Sequence, residues 1–316
     1  MLNYDLVDVF TDRPFAGNQL AVVHGGDDLS TAQYLAIAQE FNLSETTFPS
    51  SAVATGREYA TRIFTPGSEI PFAGHPTLGT AWVLREAGSL DADAEHVTQV
   101  CGAGRIEVRF FEAMVELAVP PRDLVGPLDE ELVAEIAADI GLGVSDVVAP
   151  VYIAGCGLTF LHLPVADDAV ARAVISPRPL EEYRERFAAA GPSDAVEGIN
   201  VFAVAGSAPS LQVHSRVFVP GLSVPEDPAT GSAAAALGMA LVATGLLPEG
   251  GTYEITQGVE MGRRSTLHGS VETTVVAGHG WNATGSDEDR SVVSAVCRVR
   301  GQVQRVGRGE IAVPPA

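Results

Sequence analysis

Residues 226–245 read EDPATGSAAAALGMALVATG, and this stretch decides how the chain folds. After the acidic turn at 226–228 it carries no charged side chain. The pattern predicts a helix that begins at Gly231 and is apolar on every side. Such a helix has to be buried on every side. The run is also too short and too rich in alanine and glycine to span a membrane. We therefore expect it to form the centre of a folding unit.

A second stretch near the start of the chain has the same pattern. Residues 73–79 read AGHPTLG, and they correspond to TGSAAAA at residues 230–236. Each stretch follows a predicted strand and a turn that contains proline, and each continues with almost no charged face. Two such helices, one in each half, predict two lobes that each wrap a sheet around a central helix.

The order of predicted elements recurs on either side of a proline-rich segment. Residues 120–127, PPRDLVGP, are the best candidate for a linker, since strands and helices alternate in similar order before and after them. We predict an N-terminal lobe of residues 1–122 completed by a strand at about 295–316, and a C-terminal lobe of residues 123–294. The acidic segment 277–289 is either the rim of a cleft or a solvated insertion.

The composition narrows the class of protein. Forty acidic against nineteen basic residues give a net charge of -21, which disfavours nucleic acid and anionic membrane surfaces as partners. Three widely spaced cysteines argue against a disulfide framework and a zinc site. The first residues show no signal peptide, so we expect a cytoplasmic protein. Motifs for dinucleotides, phosphate loops, serine hydrolysis and zinc proteases are absent from the sequence.

Five ordered motifs spread over residues 7–265 carry a specific resemblance: VDVFTDRPFAGNQLAVV, NLSETTFP, RIFTPGSEIPFAGHPTLGTAWVL, VPEDPATGSAAAALG and QGVEMGRRS. The chain resembles the PhzF-like family, a branch of the diaminopimelate-epimerase-like fold. The resemblance implies an α/β (α+β) protein of two similar lobes. Each lobe is a mostly antiparallel sheet rolled around a central helix, with the active site in the cleft between them. It also implies a homodimer that uses no metal and no organic cofactor.

The same resemblance assigns roles to individual residues. It places the family's acid/base glutamate on Glu45, and the family's histidine and aspartate of the cleft on His75 and Asp227. The remaining predicted substrate contacts lie in the AGN segment and at the two helix starts: Asn18, Gly74, Thr230, Gly231 and Ser232. Gln19 stands where family sequences usually have proline, which is expected to loosen the turn that sets Asn18.

Taken alone, the same residue types have plainer interpretations. Glu45 could be an exposed glutamate at a helix exit, and His75 could cap a helix. Asp227 before a proline could simply form a turn. Glu69 is a rival carboxylate in the loop before His75, and we expect it to be a salt-bridge or capping residue.

The corresponding positions in diaminopimelate epimerase distinguish the possible reactions. That enzyme uses two cysteines, whereas Ala73 and Thr230 stand at the matching positions here. Two-base cysteine chemistry is therefore excluded if the alignment holds. We predict a cofactor-independent isomerase in which Glu45 moves a proton between carbons of a small carboxylate substrate held by the positive helix starts. The alternatives are a two-base epimerase using Glu45 and His75, or a non-catalytic binding protein.

Overall fold

The computed structural model describes residues 1–50, 56–192, 195–220, 224–275 and 292–315. The chain divides into two compact units, Met1–Leu117 with Arg300–Ala316, and Ala118–Val299. The acidic segment 277–289, which the sequence singles out, lies outside the described residues. The division into lobes at residues 122 and 295 stays a prediction.

The first part of the chain is mainly strand, with two helices. Its elements are β1 (Leu2–Val9), β2 (Asn18–Val23), α1 (Thr31–Phe41), β3 (Glu45–Pro49), β4 (Glu58–Phe64), β5 (Glu69–Ile70), α2 (Gly74–Glu86), β6 (His96–Cys101), β7 (Gly104–Phe111) and β8 (Met114–Val119). Antiparallel pairing joins β1 to β2, β3 to β4, β4 to β5, β6 to β7 and β7 to β8. Parallel pairing joins β2 to β3 and β4 to β6.

Most of the remaining chain forms the second unit. Its elements are β9 (Pro121–Val125), α3 (Glu130–Asp139), β10 (Tyr152–Cys156), β11 (Leu158–Pro164), α4 (Asp167–Arg172), α5 (Arg184–Ala190), β12 (Val196–Ser207), β13 (Ser210–Phe218), β14 (Glu226–Asp227), α6 (Gly231–Ala243), β15 (Gly250–Gln257), β16 (Ser265–Val275) and β17 (Val292–Gly301). Single 3-10 turns span Val144–Asp146 and Leu180–Tyr183. Pairing is again mostly antiparallel, with parallel pairs at β11–β12 and β13–β15.

The last strand, β18 (Val303–Ile311), returns to the first unit. It pairs antiparallel with β1 along the whole length of that strand. The Asp5 carboxylate fixes this pairing, since its Oδ1 accepts hydrogen bonds from Nε of Arg305 at 2.8 Å and of Arg308 at 2.9 Å. The N-terminal strand is therefore held by residues 300 positions later in the chain.

The helix predicted to be buried on every side is α6. All 13 of its residues are buried, and it packs against β9, β10, β11, β15 and β16. In the first unit, α2 has nine buried residues of 13 and packs against β1, β2, β3 and other strands of its own unit. The fold class predicted from these two stretches is confirmed.

The opposite face of each sheet carries a separate apolar core. In the first unit α1 places Tyr34 and Ile37 against Phe48 and Phe64. In the second unit α3 and α4 cover a larger cluster that includes Leu161 and Phe218. These outer helices leave the inner face of each sheet to the central helix. In the described part of the chain, no helix is both long and apolar enough to cross a membrane.

The burial of α6 predicts which substitutions unfold the second unit. Leu237 is fully buried in the middle of this helix. We expect Leu237→Ala to lower the free energy of unfolding by about 2–5 kcal/mol. The removed methyl groups leave a cavity that the surrounding strands fill only in part. Chemical denaturation measures the loss. Val144→Ala is the control in the same unit, since Val144 is 59% exposed, and an equal loss in both variants would contradict the buried placement.

Candidate functional site

Glu45 begins β3 directly after the exit from α1. Helix α1 ends at Phe41, and Asn42 adopts the left-handed conformation with φ 50°. The chain then turns through Ser44 into β3, which lies parallel to β2 with Glu45 opposite Leu20. The Glu45 side chain is only 17% exposed, so the interpretation as an exposed helix-exit glutamate is wrong.

His75 is the second residue of α2 and is 6% exposed. Its Nε2 lies 3.4 Å from Glu45 Oε2 and 3.3 Å from the backbone oxygen of Gln19. The residue before the helix is Ala73, and no side chain caps this helix start. The capping interpretation of His75 is therefore also wrong. The ring faces Glu45 instead.

Asn18 determines which ring nitrogen of His75 carries the proton. Ser44 Oγ donates to Asn18 Oδ1 at 3.4 Å, so the Asn18 amide nitrogen points the other way. That nitrogen lies 3.3 Å from His75 Nδ1 and donates to it. The proton of a neutral imidazole is then on Nε2, which donates to the Gln19 carbonyl oxygen, and Glu45 Oε2 lies 3.4 Å from the same nitrogen.

Burial keeps His75 neutral. Desolvation lowers its pKa from 6.5 to about 3, and the hydrogen bond to the Gln19 carbonyl offsets only part of this effect. His75 therefore places an N–H donor, and no positive charge, beside the Glu45 carboxylate at neutral pH. The first unit brings together three predicted site residues, Asn18, Glu45 and His75, with Gly74 immediately before the histidine.

The rival carboxylate Glu69 lies in a different environment. Its Oε1 accepts from Arg62 Nε at 2.7 Å. This hydrogen bond is the largest influence on the Glu69 carboxyl and lowers its pKa. Glu69 is therefore a salt-bridge residue, as expected, and its carboxylate is paired with a permanent cation.

The other predicted residues lie together at the start of α6 in the second unit. Thr230 Oγ1 donates to Asp227 Oδ2 at 2.6 Å, and this contact closes the turn that precedes the helix. Thr230 is the N-cap residue of α6, but its side chain makes no capping hydrogen bond to the helix. Gly231 and Ser232 are the first two helical residues.

A buried ion pair fixes the strand that carries Asp227. Arg216 Nε and Nη2 donate to the two carboxylate oxygens of Glu226 at 2.8 and 2.9 Å. Glu226 and Asp227 together form β14, which pairs with β13. Sequence reasoning missed this pair, because its members lie ten positions apart on different strands and share no local motif.

Two buried glutamines, Gln99 and Gln257, were also missed. Gln99 Nε2 donates to Thr77 Oγ1 at the start of α2, and Gln257 Nε2 donates to Thr230 Oγ1 at the start of α6. The sequence does contain a signal for both. The pattern T-Q-x4-G-R occurs at Thr98–Arg105 and again at Thr256–Arg263. A search for internal repeats would have found it.

Comparison with known proteins identifies relatives over most of the chain. The sequence profile of the family described as "Phenazine biosynthesis-like protein" matches residues 7–284. Trans-2,3-dihydro-3-hydroxyanthranilate isomerase of Pseudomonas fluorescens is 35% identical in an alignment of 277 positions that covers 86% of this chain and 91% of that protein.

Solved structures agree with the fold. The structure of a predicted epimerase from Pseudomonas aeruginosa superimposes with a TM-score of 0.74 at 26% identity, covering 98% of this chain and 99% of that one. A phenazine biosynthesis protein of the PhzF family from Bacillus anthracis superimposes with a TM-score of 0.75 at 21% identity, covering 99% of both chains.

The neutral state of His75 predicts a pH dependence of stability. Its pKa is about 3 in the folded chain against 6.5 for an unperturbed histidine, so on acidification the unfolded chain binds the proton first. The contribution of neutral His75 to the free energy of unfolding is complete above pH 6.5 and is lost as the pH falls toward 3. We expect the free energy of unfolding of His75→Gln to fall less steeply than wild type between about pH 5.5 and 4, by up to about 1.4 kcal/mol per pH unit.

Urea denaturation over this pH range measures the difference. The control is His96→Gln, since the His96 side chain is 48% exposed. Equal slopes for wild type and His75→Gln would contradict a neutral, buried His75.

Proposed function

Because the chain belongs to the phenazine biosynthesis-like family and is an isomerase, we propose that Glu45 moves a proton between two carbons of its substrate. The observation that carries this proposal is the position of the Glu45 carboxylate, mostly buried and 3.4 Å from a neutral imidazole. A proton leaves one carbon for Glu45, the electron pair shifts along the adjacent double bond, and Glu45 returns the proton to the far carbon. The proton count is unchanged, and no second base is needed.

The state of His75 favours this mechanism over two-base epimerisation. A histidine with a pKa of about 3 is a weak base, and proton transfer is most efficient when the pKa lies near the working pH. Its protonated Nε2 instead suits a hydrogen-bond donor. It would hold Glu45 in place, or stabilise negative charge that develops on the substrate.

A substrate carboxylate is proposed to bind at a helix start. In the part of the chain that the structure describes, the N-cap residues of α2 and α6, Ala73 and Thr230, make no side-chain capping bond, and the backbone N–H groups of the first helical residues are proposed to bind the ligand. Such a helix end stabilises an anion by about 0.3–1 kcal/mol at exposed sites and by ~2 kcal/mol when partly buried. This local attraction would act against the net charge of -21. Asp227 and Thr230 are proposed to contact an amine or hydroxyl of the same substrate.

The relatives indicate which compound to test first. One of them is a trans-2,3-dihydro-3-hydroxyanthranilate isomerase, whose substrate is an unsaturated cyclic acid with amine and hydroxyl groups. We propose a small carboxylate of this kind as the substrate. Catalysis without a cofactor and a homodimer are further proposals that rest on the resemblance, and a cytoplasmic location stays a prediction from the sequence.

Isotope exchange tests the role of Glu45. In heavy water, we expect wild type to incorporate deuterium into trans-2,3-dihydro-3-hydroxyanthranilate at the carbon that gains the proton. We expect Glu45→Gln to slow this incorporation by about 100- to 10,000-fold, the usual contribution of a positioned acid/base group. Proton NMR follows both the position and the rate of labelling.

Glu69→Gln is the matched control, because it removes a carboxylate from the loop before α2 and is expected to leave the rate near that of wild type. Full exchange by Glu45→Gln would move the base elsewhere. Label at one chiral centre without a shift of the double bond would favour the epimerase. Binding of the compound without exchange in wild type would favour the binding protein.

A further inference from the structure

The side chain of Gln257 makes all its described hydrogen bonds to the entrance of α6. Gln257 is the last residue of β15 and is 1% exposed. Its Nε2 donates to the backbone oxygen of Asp227 at 2.7 Å and to Thr230 Oγ1 at 3.2 Å. Its Oε1 accepts from the Thr230 backbone N–H at 3.3 Å. One amide therefore holds the chain on both sides of the turn.

These contacts fix the direction of the Thr230 hydroxyl. A threonine hydroxyl has one proton to donate, and here Oγ1 accepts from Gln257 and donates to Asp227 Oδ2 at 2.6 Å. Without the Gln257 donor the hydroxyl could rotate, and the Asp227 carboxylate would lose a fixed partner. Gln257 thus acts on Asp227 through Thr230.

The first unit has a related contact at α2, in which a buried glutamine bonds to the first turn of the helix. Gln99 lies in β6 and is fully buried. Its Nε2 donates to Thr77 Oγ1 at 2.8 Å, and its Oε1 accepts from Tyr59 Oη at 3.0 Å. Thr77 is in the first turn of the helix, two residues after His75. A buried glutamine therefore holds the start of the central helix in both units.

The turn that follows each glutamine packs closely against the turn that precedes the central helix of its unit. A Cβ added to Gly258, whose φ is +72°, would lie 2.7 Å from the Pro228 carbonyl oxygen, and one added to Gly102 would lie 2.8 Å from Pro71 Cα. Pro228 and Pro71 each stand three residues before the first glycine of a central helix. The close contact and the glutamine contact thus occur together in each unit.

A buried glutamine could equally be a satisfied polar group with no further role. Two observations favour more than that. The partners of Gln257 are residues of the predicted site rather than a general stretch of backbone. The same pattern, T-Q-x4-G-R, also recurs at the corresponding place in the other unit.

We propose that Gln257 is a positioning residue that fixes Asp227 and the open start of α6 for substrate binding, and that Gln99 does the same for the start of α2. This inference rests on the proposed function for the identity of the ligand. That the two glutamines hold the starts of α2 and α6 does not depend on the proposed function.

The first test requires no substrate. Gln257→Met keeps the length of the side chain and removes all three hydrogen bonds. We expect amide hydrogen–deuterium exchange in the peptide covering residues 226–236 to become about tenfold faster, since buried hydrogen bonds are lost there. Exchange in the peptide covering 70–80 is expected to stay at the wild-type rate. Gln99→Met should give the reverse pattern, and Gln212→Met, at an exposed position of β13, should change neither.

The second test separates positioning from general destabilisation. With trans-2,3-dihydro-3-hydroxyanthranilate, we expect Gln257→Met to raise KM about tenfold while kcat changes less than about threefold. If Gln257 acts through Asp227, the effects of the two variants will not add. Gln257→Met introduced into Asp227→Asn should then change KM less than about twofold further.

A second variant covers the case in which Gln257→Met does not fold. Gln257→Glu keeps an acceptor for the Thr230 N–H and loses both donors, so we expect KM to rise while exchange at Thr230 stays slow. Unchanged exchange in residues 226–236, or additive effects with Asp227→Asn, would overturn the proposal. Full activity of Glu45→Gln would overturn the proposed function instead, and it would leave the exchange result for Gln257 standing.

Discussion

The burial of α6 is the constraint on which the rest of the second unit depends. A helix with 13 buried residues and no polar face needs strands on all its sides, and the outer helices then have to cover the other face of those strands. The first N–H groups of a helix have no partner within it. In α6 the other polar groups are the Ser232 side chain and the C=O groups of the last turn, and the proposed ligand site lies at the helix start, where these N–H groups are. The same logic applies to α2, whose last turn reaches the surface.

The environments of the acidic residues divide them by role. Glu69 and Glu226 each receive two hydrogen bonds from a guanidinium group, so each is paired with a permanent cation. Glu45 has a neutral imidazole as its neighbour. A carboxylate in that setting has an N–H group 3.4 Å away and no permanent positive charge from His75 beside it. Under the proposed mechanism Glu45 alternates between base and acid, which a carboxylate locked to arginine does poorly.

The sequence allowed the central helices, the mostly antiparallel lobes and the family to be predicted, because each depends on local pattern or on ordered motifs. It also marked Asn18, Glu45 and His75, which the fold brings together. The expectations of an exposed Glu45 and a helix-capping His75 were wrong. The burial of both side chains is set by strands that lie far away in the chain. Gln99, Gln257 and the pair Arg216–Glu226 were missed for a related reason: a buried amide or ion pair is recognised by its partners, and those become visible only when strands are placed side by side. The roles proposed for the site residues remain predictions.

The return of β18 to β1 has a consequence for the order of events during synthesis. Strand β1 emerges from the ribosome long before β18, so one of its two neighbours is made only after residue 302. Until then the Val7 and Val9 strand has an open edge that could pair with another chain. All residues of the second unit, Ala118–Val299, have been made by that time. A nascent or truncated chain that lacks its last 15 residues would therefore be prone to aggregate through its N-terminal strand, although every residue of the proposed site would already be present.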